Sequence, residues 1–65
     1  MDSREVLKLL RADGWRLKSQ VGSHMQLDHA VKKGKVTVPH PRKDIKLKTL
    51  QNIERQSGLN LRRPK

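Results

Sequence analysis

Sixty-five residues carrying sixteen Lys and Arg against six Asp and Glu have a net charge of +10, and the chain contains no cysteine. Disulfide scaffolds and cysteine-held zinc are therefore excluded, and no apolar run approaches the roughly 20 residues that span a bilayer. So strong a positive field on so small a body suits nucleic acid or an acidic protein partner.

A chain of this length makes one domain and buries only about 60% of the surface its unfolded form exposes. With a single aromatic residue, Trp15, its stability rests on one thin core, worth about 3–5 kcal/mol net.

Asp2-Ser3-Arg4-Glu5 reads as a helix start, with Asp2 as N-cap and Glu5 three residues on. Val6, Leu7 and Leu10 share a face at helical spacing, and Asp13-Gly14 ends the helix, with Gly14 in the left-handed position. From Trp15 the period changes to two. Trp15, Leu17 and Ser19 alternate with Arg16, Lys18 and Gln20. After Gly22, Met25, Leu27 and His29 alternate with His24, Gln26 and Asp28. After Gly34, Val36 and Val38 alternate with Lys35 and Thr37. Three short strands with one apolar face follow from this pattern.

Directly opposed residues of an antiparallel pair share a face, which constrains the first turn. A two-residue Gly22-Ser23 loop would set Val21 against His24 and Leu17 against Asp28, mixing the faces. A three-residue loop, Val21-Gly22-Ser23, pairs Gln20 with His24 and Leu17 with Leu27. The expected core side is then Trp15, Leu17, Met25, Leu27, Val36 and Val38. The expected open and mostly basic side is Arg16, Lys18, Gln20, His24, Gln26, Lys35 and Thr37.

Pro39-His40-Pro41 stops the third strand, because proline donates no ladder hydrogen bond. Arg42-Lys43-Asp44-Ile45-Lys46 reads as a basic connector. Leu47, Leu50 and Ile53 give a second amphipathic helix that ends near Ser57-Gly58, after which Leu59 and Leu61 return to the core. The expected domain is residues 1–61, with a frayed basic tail over 62–65. The fold class is α+β: a two-layer α-β-β-β-α arrangement with a three-stranded antiparallel sheet and both helices on its apolar face.

Three histidines are the candidates for proton transfer. His40 lies between prolines, where a structural or binding role is expected. His29 shares the core parity at a strand end and reads as a partly buried polar cap. His24 begins a strand beside a glycine turn, on the basic side. His24 and His29 project to opposite faces, and Asp28 is about 13 Å from His24 at strand rise, so the spacing offers no metal site. No cysteine nucleophile exists, and Ser23 has no base and orienting partner.

Several ordered blocks carry a resemblance. Val21-Gly22-Ser23-His24, His29, Lys35-Val36-Thr37-Val38-Pro39-His40 and Thr49-Leu50-Gln51-Asn52-Ile53 resemble the HicA toxins, the ribonuclease halves of HicA–HicB toxin–antitoxin pairs. The opening through Asp13-Gly14-Trp15 and the closing Gln56-Ser57-Gly58-Leu59 fit as well. Ala30-Val31 departs from a proline-containing turn, and Lys48 stands where glycine is common. The resemblance implies a double-stranded-RNA-binding-domain-like fold, metal-independent cleavage of mRNA without a cofactor, and inhibition of translation and growth. It also implies a cytoplasmic protein and a HicB-type antitoxin that covers the site. The family's catalytic histidine corresponds to His24. Gly22 and Ser23 from the same motif, with Lys18 and Lys35 from the open side, are the expected RNA contacts. The alternative is a non-catalytic module that binds double-stranded RNA by shape.

Overall fold

The computed structural model describes residues 1–61; the tail expected over 62–65 lies outside the described residues. The elements are α1 (Ser3–Ala12), β1 (Trp15–Val21), β2 (His24–His29), β3 (Val36–Pro39) and α2 (Leu47–Ser57). The strands form one antiparallel sheet in the order β1-β2-β3. This is the expected α-β-β-β-α order.

Helix α1 begins where the sequence indicates. The Asp2 carboxylate accepts the Glu5 amide at 2.9 Å, removing one of the donors that a helix start leaves unpaired. Val6, Leu7 and Leu10 are buried and pack with Trp15, Met25, Leu27, Val36 and Val38 from the sheet. Leu50 and Ile53 of α2, with Ile45 and Leu61, complete that core. Ile45 belonged to the basic connector by sequence, yet it is 3% exposed. Leu47, expected on the apolar face of α2, is instead 56% exposed. The buried face of α2 is Leu50, Ile53 and Ser57, so the apolar stripe begins before the helix rather than in its first turn.

The first hairpin departs from the expected register. Val21 pairs with His24 and Gln20 with Met25, so the loop is Gly22-Ser23 alone. Leu17 still faces Leu27, because Lys18 is an extra residue between Leu17 and Ser19. A β-bulge of this kind places two residues against one and turns the strand over. Strict alternation allows only an odd loop; the bulge absorbs the same one-residue difference inside β1. Gly22 has φ +58° and Ser23 has no positive φ, the pattern of a two-residue hairpin with glycine at its first loop position.

The bulge also corrects the faces. Past Lys18, it is Ser19 and Val21 that share the side of Gln26 and His24, while Gln20 turns to the side of Met25. Leu17 has core parity but is 44% exposed. It lies on the outer strand away from α2, and only Trp15 of β1 is buried. At the opposite edge, Gln56 of α2 accepts the Thr37 amide through its side-chain oxygen at 3.3 Å, covering part of β3.

One polar cluster fixes the end of α1 against the sheet. Trp15 Nε1 donates to Asp13 at 3.1 Å, and Lys32 donates to the same carboxylate oxygen at 2.6 Å. Lys32 also donates to the Ser57 carbonyl at 3.0 Å, so this lysine ties three segments together. The Lys32 hydrogen bond draws the Asp13 carboxyl below its ordinary value; burial opposes it, and the Lys32 charge and the Trp15 bond reinforce it.

Gly14 closes the cluster. Its φ is +103°, and a Cβ there would lie 2.7 Å from His29 Nε2. Gly14→Ala therefore meets left-handed strain and a ring that cannot yield without losing its own hydrogen bonds. A loss of about 1–3 kcal/mol is expected in urea unfolding. A midpoint equal to wild type would show that the ring moves freely.

Candidate functional site

The hydrogen bonding of the three histidines separates them. His29 Nδ1 accepts the amides of Val31 and Lys32 at 3.0 and 3.1 Å, and its Nε2 lies 2.6 Å from the Asp13 carbonyl. With Nδ1 accepting, Nε2–H is the donor to that carbonyl. The ring also meets Trp15 edge to face, with centroids 5.1 Å apart. Both nitrogens are thus committed, as expected of a structural cap. His40 Nδ1 lies 2.7 Å from Ser3 Oγ, a hydroxyl that also accepts the Arg42 amide at 3.0 Å. The Ser3 residue is 2% exposed, so this contact is a partly buried anchor.

His24 differs from both. It is exposed at the first position of β2, and its ring makes no hydrogen bond among the described residues. The Gly22-Ser23 turn delivers it, and the Ser23 carbonyl accepts the His40 amide at 2.7 Å, which holds the turn against the end of β3. Across the ladder His24 faces Pro39.

The residues following Pro39 therefore arrive beside His24. A cleft of about 300 Å³ opens there, lined by His24, Thr37, Pro39, Arg42, Ile45, Lys46 and Thr49. Its connector wall is pinned. The Ser3 amide donates to the Arg42 carbonyl at 2.8 Å, and the Ile45 amide to the Met1 carbonyl at 3.0 Å. With Ile45 buried, the backbone bearing Arg42 and Lys46 is fixed on both sides. Neither cation forms an ion pair among the described residues, where the ion pairs are Met1–Asp44 and Lys32–Asp13. Among the described residues, the cleft thus combines an imidazole with free nitrogens, two uncompensated cations and two threonine hydroxyls.

Those cations are not the ones singled out by strand parity. Lys18 is the bulged residue, at the level of Gln26 and Leu27. Lys35 precedes β3, four residues or about 13 Å from Pro39 at strand rise. Neither lines the cleft. Gly22 and Ser23 form the turn that carries His24 but are also not among its walls. A signal for Arg42 was present in the sequence. An antiparallel third strand ending at Pro39, opposite the start of the second, must deliver its next residues to His24.

Among the described residues, no three His, Cys, Asp or Glu side chains converge as a metal site, and no helix is long and apolar enough to cross a membrane.

Comparison with known proteins places this geometry in a family. The model of the HicA toxin of bacterial toxin–antitoxin systems matches residues 3–59. The chain belongs to the HicA toxin family. A solved structure titled as the HicA3 and HicB3 toxin–antitoxin complex is similar, with 33% sequence identity and a TM-score of 0.74. That match covers 95% of this chain and 100% of the other. No curated protein sequence matches the chain. Membership of the HicA family extends across every element of the fold, from the first residue of α1 to beyond the end of α2.

Proposed function

We propose that this HicA-family toxin is a metal-independent endoribonuclease whose proton-transfer residue is His24. The observation that carries the reading is the cleft itself: an imidazole with both nitrogens unengaged, facing Arg42 and Lys46, which have no anionic partner among the described residues.

RNA supplies its own nucleophile. The 2′-oxygen forms a bond to the adjacent phosphorus, the bond from phosphorus to the 5′-oxygen breaks, and the products are a 2′,3′-cyclic phosphate and a 5′-hydroxyl. One proton leaves the 2′-oxygen and one reaches the departing 5′-oxygen. Imidazole suits either transfer near neutral pH, and one such group contributes about 10²–10⁴-fold. Negative charge accumulates on the phosphoryl oxygens as the reaction proceeds, and fixed cations beside them lower that barrier. Arg42 is the better placed of the two, since its guanidinium can take two phosphoryl oxygens at once. The Thr37 and Thr49 hydroxyls supply further donors at the same wall.

The biological reading follows from the chemistry and the family. Cleavage of cytoplasmic mRNA halts translation and growth, and a HicB-type antitoxin restrains the toxin by covering His24. The relative in the HicA3–HicB3 complex supports such a partner, and a net charge of +10 favours an acidic one.

The test is RNA cleavage by the purified protein in excess chelator. Wild type is expected to cut and to leave 2′,3′-cyclic phosphate ends, and Arg42→Ala to cut at least 100-fold more slowly. RNA that is bound but never cut would replace this reading with that of a double-stranded-RNA-binding module. Cleavage that disappears with chelator would exclude the metal-independent route.

A further inference from the structure

The cleft does not end at Arg42. A second groove is lined by Asp2, Ser3, Arg4, His40, Arg42 and Lys43. It shares Arg42 with the His24 cleft. A third is lined by Arg4, Leu7, Lys8, Arg11, Met25 and His40, sharing Arg4 and His40 with the second. The three depressions are thus neighbours that share walls, running from His24, past the connector, to the flank of α1 that borders Met25.

The charges on this path are of one sign. Arg4, Lys8 and Arg11 stand at i, i+4 and i+7, which places them on one helix face over about 10 Å. None of the three forms an ion pair among the described residues, and the same holds for Arg42, Lys43 and Lys46. The one acid lining the path, Asp2, is turned to the Glu5 amide as the helix cap. Like charges along one helix face repel, and helices gain nothing from such an arrangement unless something anionic lies against it.

We infer that this path is a track for a single RNA strand, with Arg4, Lys8 and Arg11 holding backbone phosphates on one side of the bond cut at His24. The inference rests on the nuclease reading for its polarity but not for its charge. A single strand fits better than a duplex for two reasons. The path bends from the sheet side bearing His24 around the His40–Arg42 connector to the helix side, a course that a stiff duplex cannot follow. In-line attack by the 2′-oxygen also requires backbone rotation that A-form stacking opposes. The track would give affinity and a minimum substrate length but little base preference, as phosphate contacts do.

The test uses the full chain with Arg4→Gln, Lys8→Gln and Arg11→Gln combined, all exposed or surface positions on a helix that glutamine supports. The binding probe is a 2′-O-methylated single-stranded oligoribonucleotide, which lacks the nucleophile and is not cut. Three lost phosphate contacts reduce the slope of log affinity against log salt by about 2 for a single strand. The wild-type affinity loss between about 50 and 200 mM salt then shrinks by about 20-fold in the variant. Cleavage of a dinucleotide, which reaches only the cleft, is expected to keep its kcat/KM. In the unaltered protein, the bound oligonucleotide is expected to protect Lys8 from acetylation.

An unchanged slope and an unprotected Lys8 would overturn the track while leaving cleavage at His24 intact. A wild type that never cuts RNA, but binds with the slope depending on α1, would uphold the track and remove the nuclease reading. A variant that binds RNA normally but loses an acidic partner protein would assign the face to that protein and overturn the track.

Discussion

His24→Ala is expected to lower RNA cleavage by at least 100-fold and to abolish growth arrest, with thermal unfolding unchanged. The expectation of an intact fold follows from exposure: the His24 ring holds no hydrogen bond among the described residues, and substitutions of that kind fall within about 0.5 kcal/mol. Removing the ring leaves Arg42 and Lys46 in place, so RNA affinity is expected to persist while turnover is lost. That separation is the informative readout. It distinguishes a group that transfers protons from one that merely touches the strand. A folded His24→Ala protein that still cuts at the wild-type rate would end the assignment.

The second large effect concerns the core. Trp15 is 1% exposed, the largest of the fully buried side chains, and its indole is held by Asp13 and His29. Trp15→Ala is expected to cost about 3–5 kcal/mol. A single core of this size yields about that much in total, so the variant is expected to lose cooperative unfolding at room temperature in the absence of a partner. Trp15→Phe retains most of the packing and loses the indole hydrogen bond, and its cost is expected to be about 1–2 kcal/mol. Circular dichroism with urea titration checks both. An alanine variant that unfolds cooperatively near the wild-type midpoint would mean that the weight of the core lies elsewhere.

Much of this architecture could be read from periodicity. The order of elements, the α1 cap at Asp2, the core residues Val6, Leu10, Met25, Leu27, Val36 and Val38, and the structural character of His29 all follow from spacing and parity. What escaped has identifiable causes. A bulge has no sequence signature when its extra residue is a lysine on an exposed edge, so the register past Lys18 was inverted. That inversion misplaced Gln20 beside His24 and hid Val21 there instead. Ile45 escaped because a lone apolar residue among five connector positions has no period to belong to. Arg42 is signalled by strand order rather than by charge, and charge counting cannot tell it from Lys35; Lys46 reaches His24 only through tertiary packing. Parity could rank the histidines, but only hydrogen bonding showed that His29 and His40 are engaged and His24 is not.

The bulge at Lys18 bears on how the molecule behaves in company. β1 is an edge strand bearing two exposed apolar residues, Leu17 and Val21, with 44% and 64% exposure. A regular edge of that kind is a template for an incoming strand, whether from a second copy or from an unfolding neighbour. The extra residue breaks the even spacing of donors and acceptors midway along the edge, and Arg16 and Lys18 place positive charge on the outer strand. An approaching strand can match one half of β1 or the other, never both. The irregularity that sets Val21 beside His24 thereby also works against the addition of a further strand at this edge.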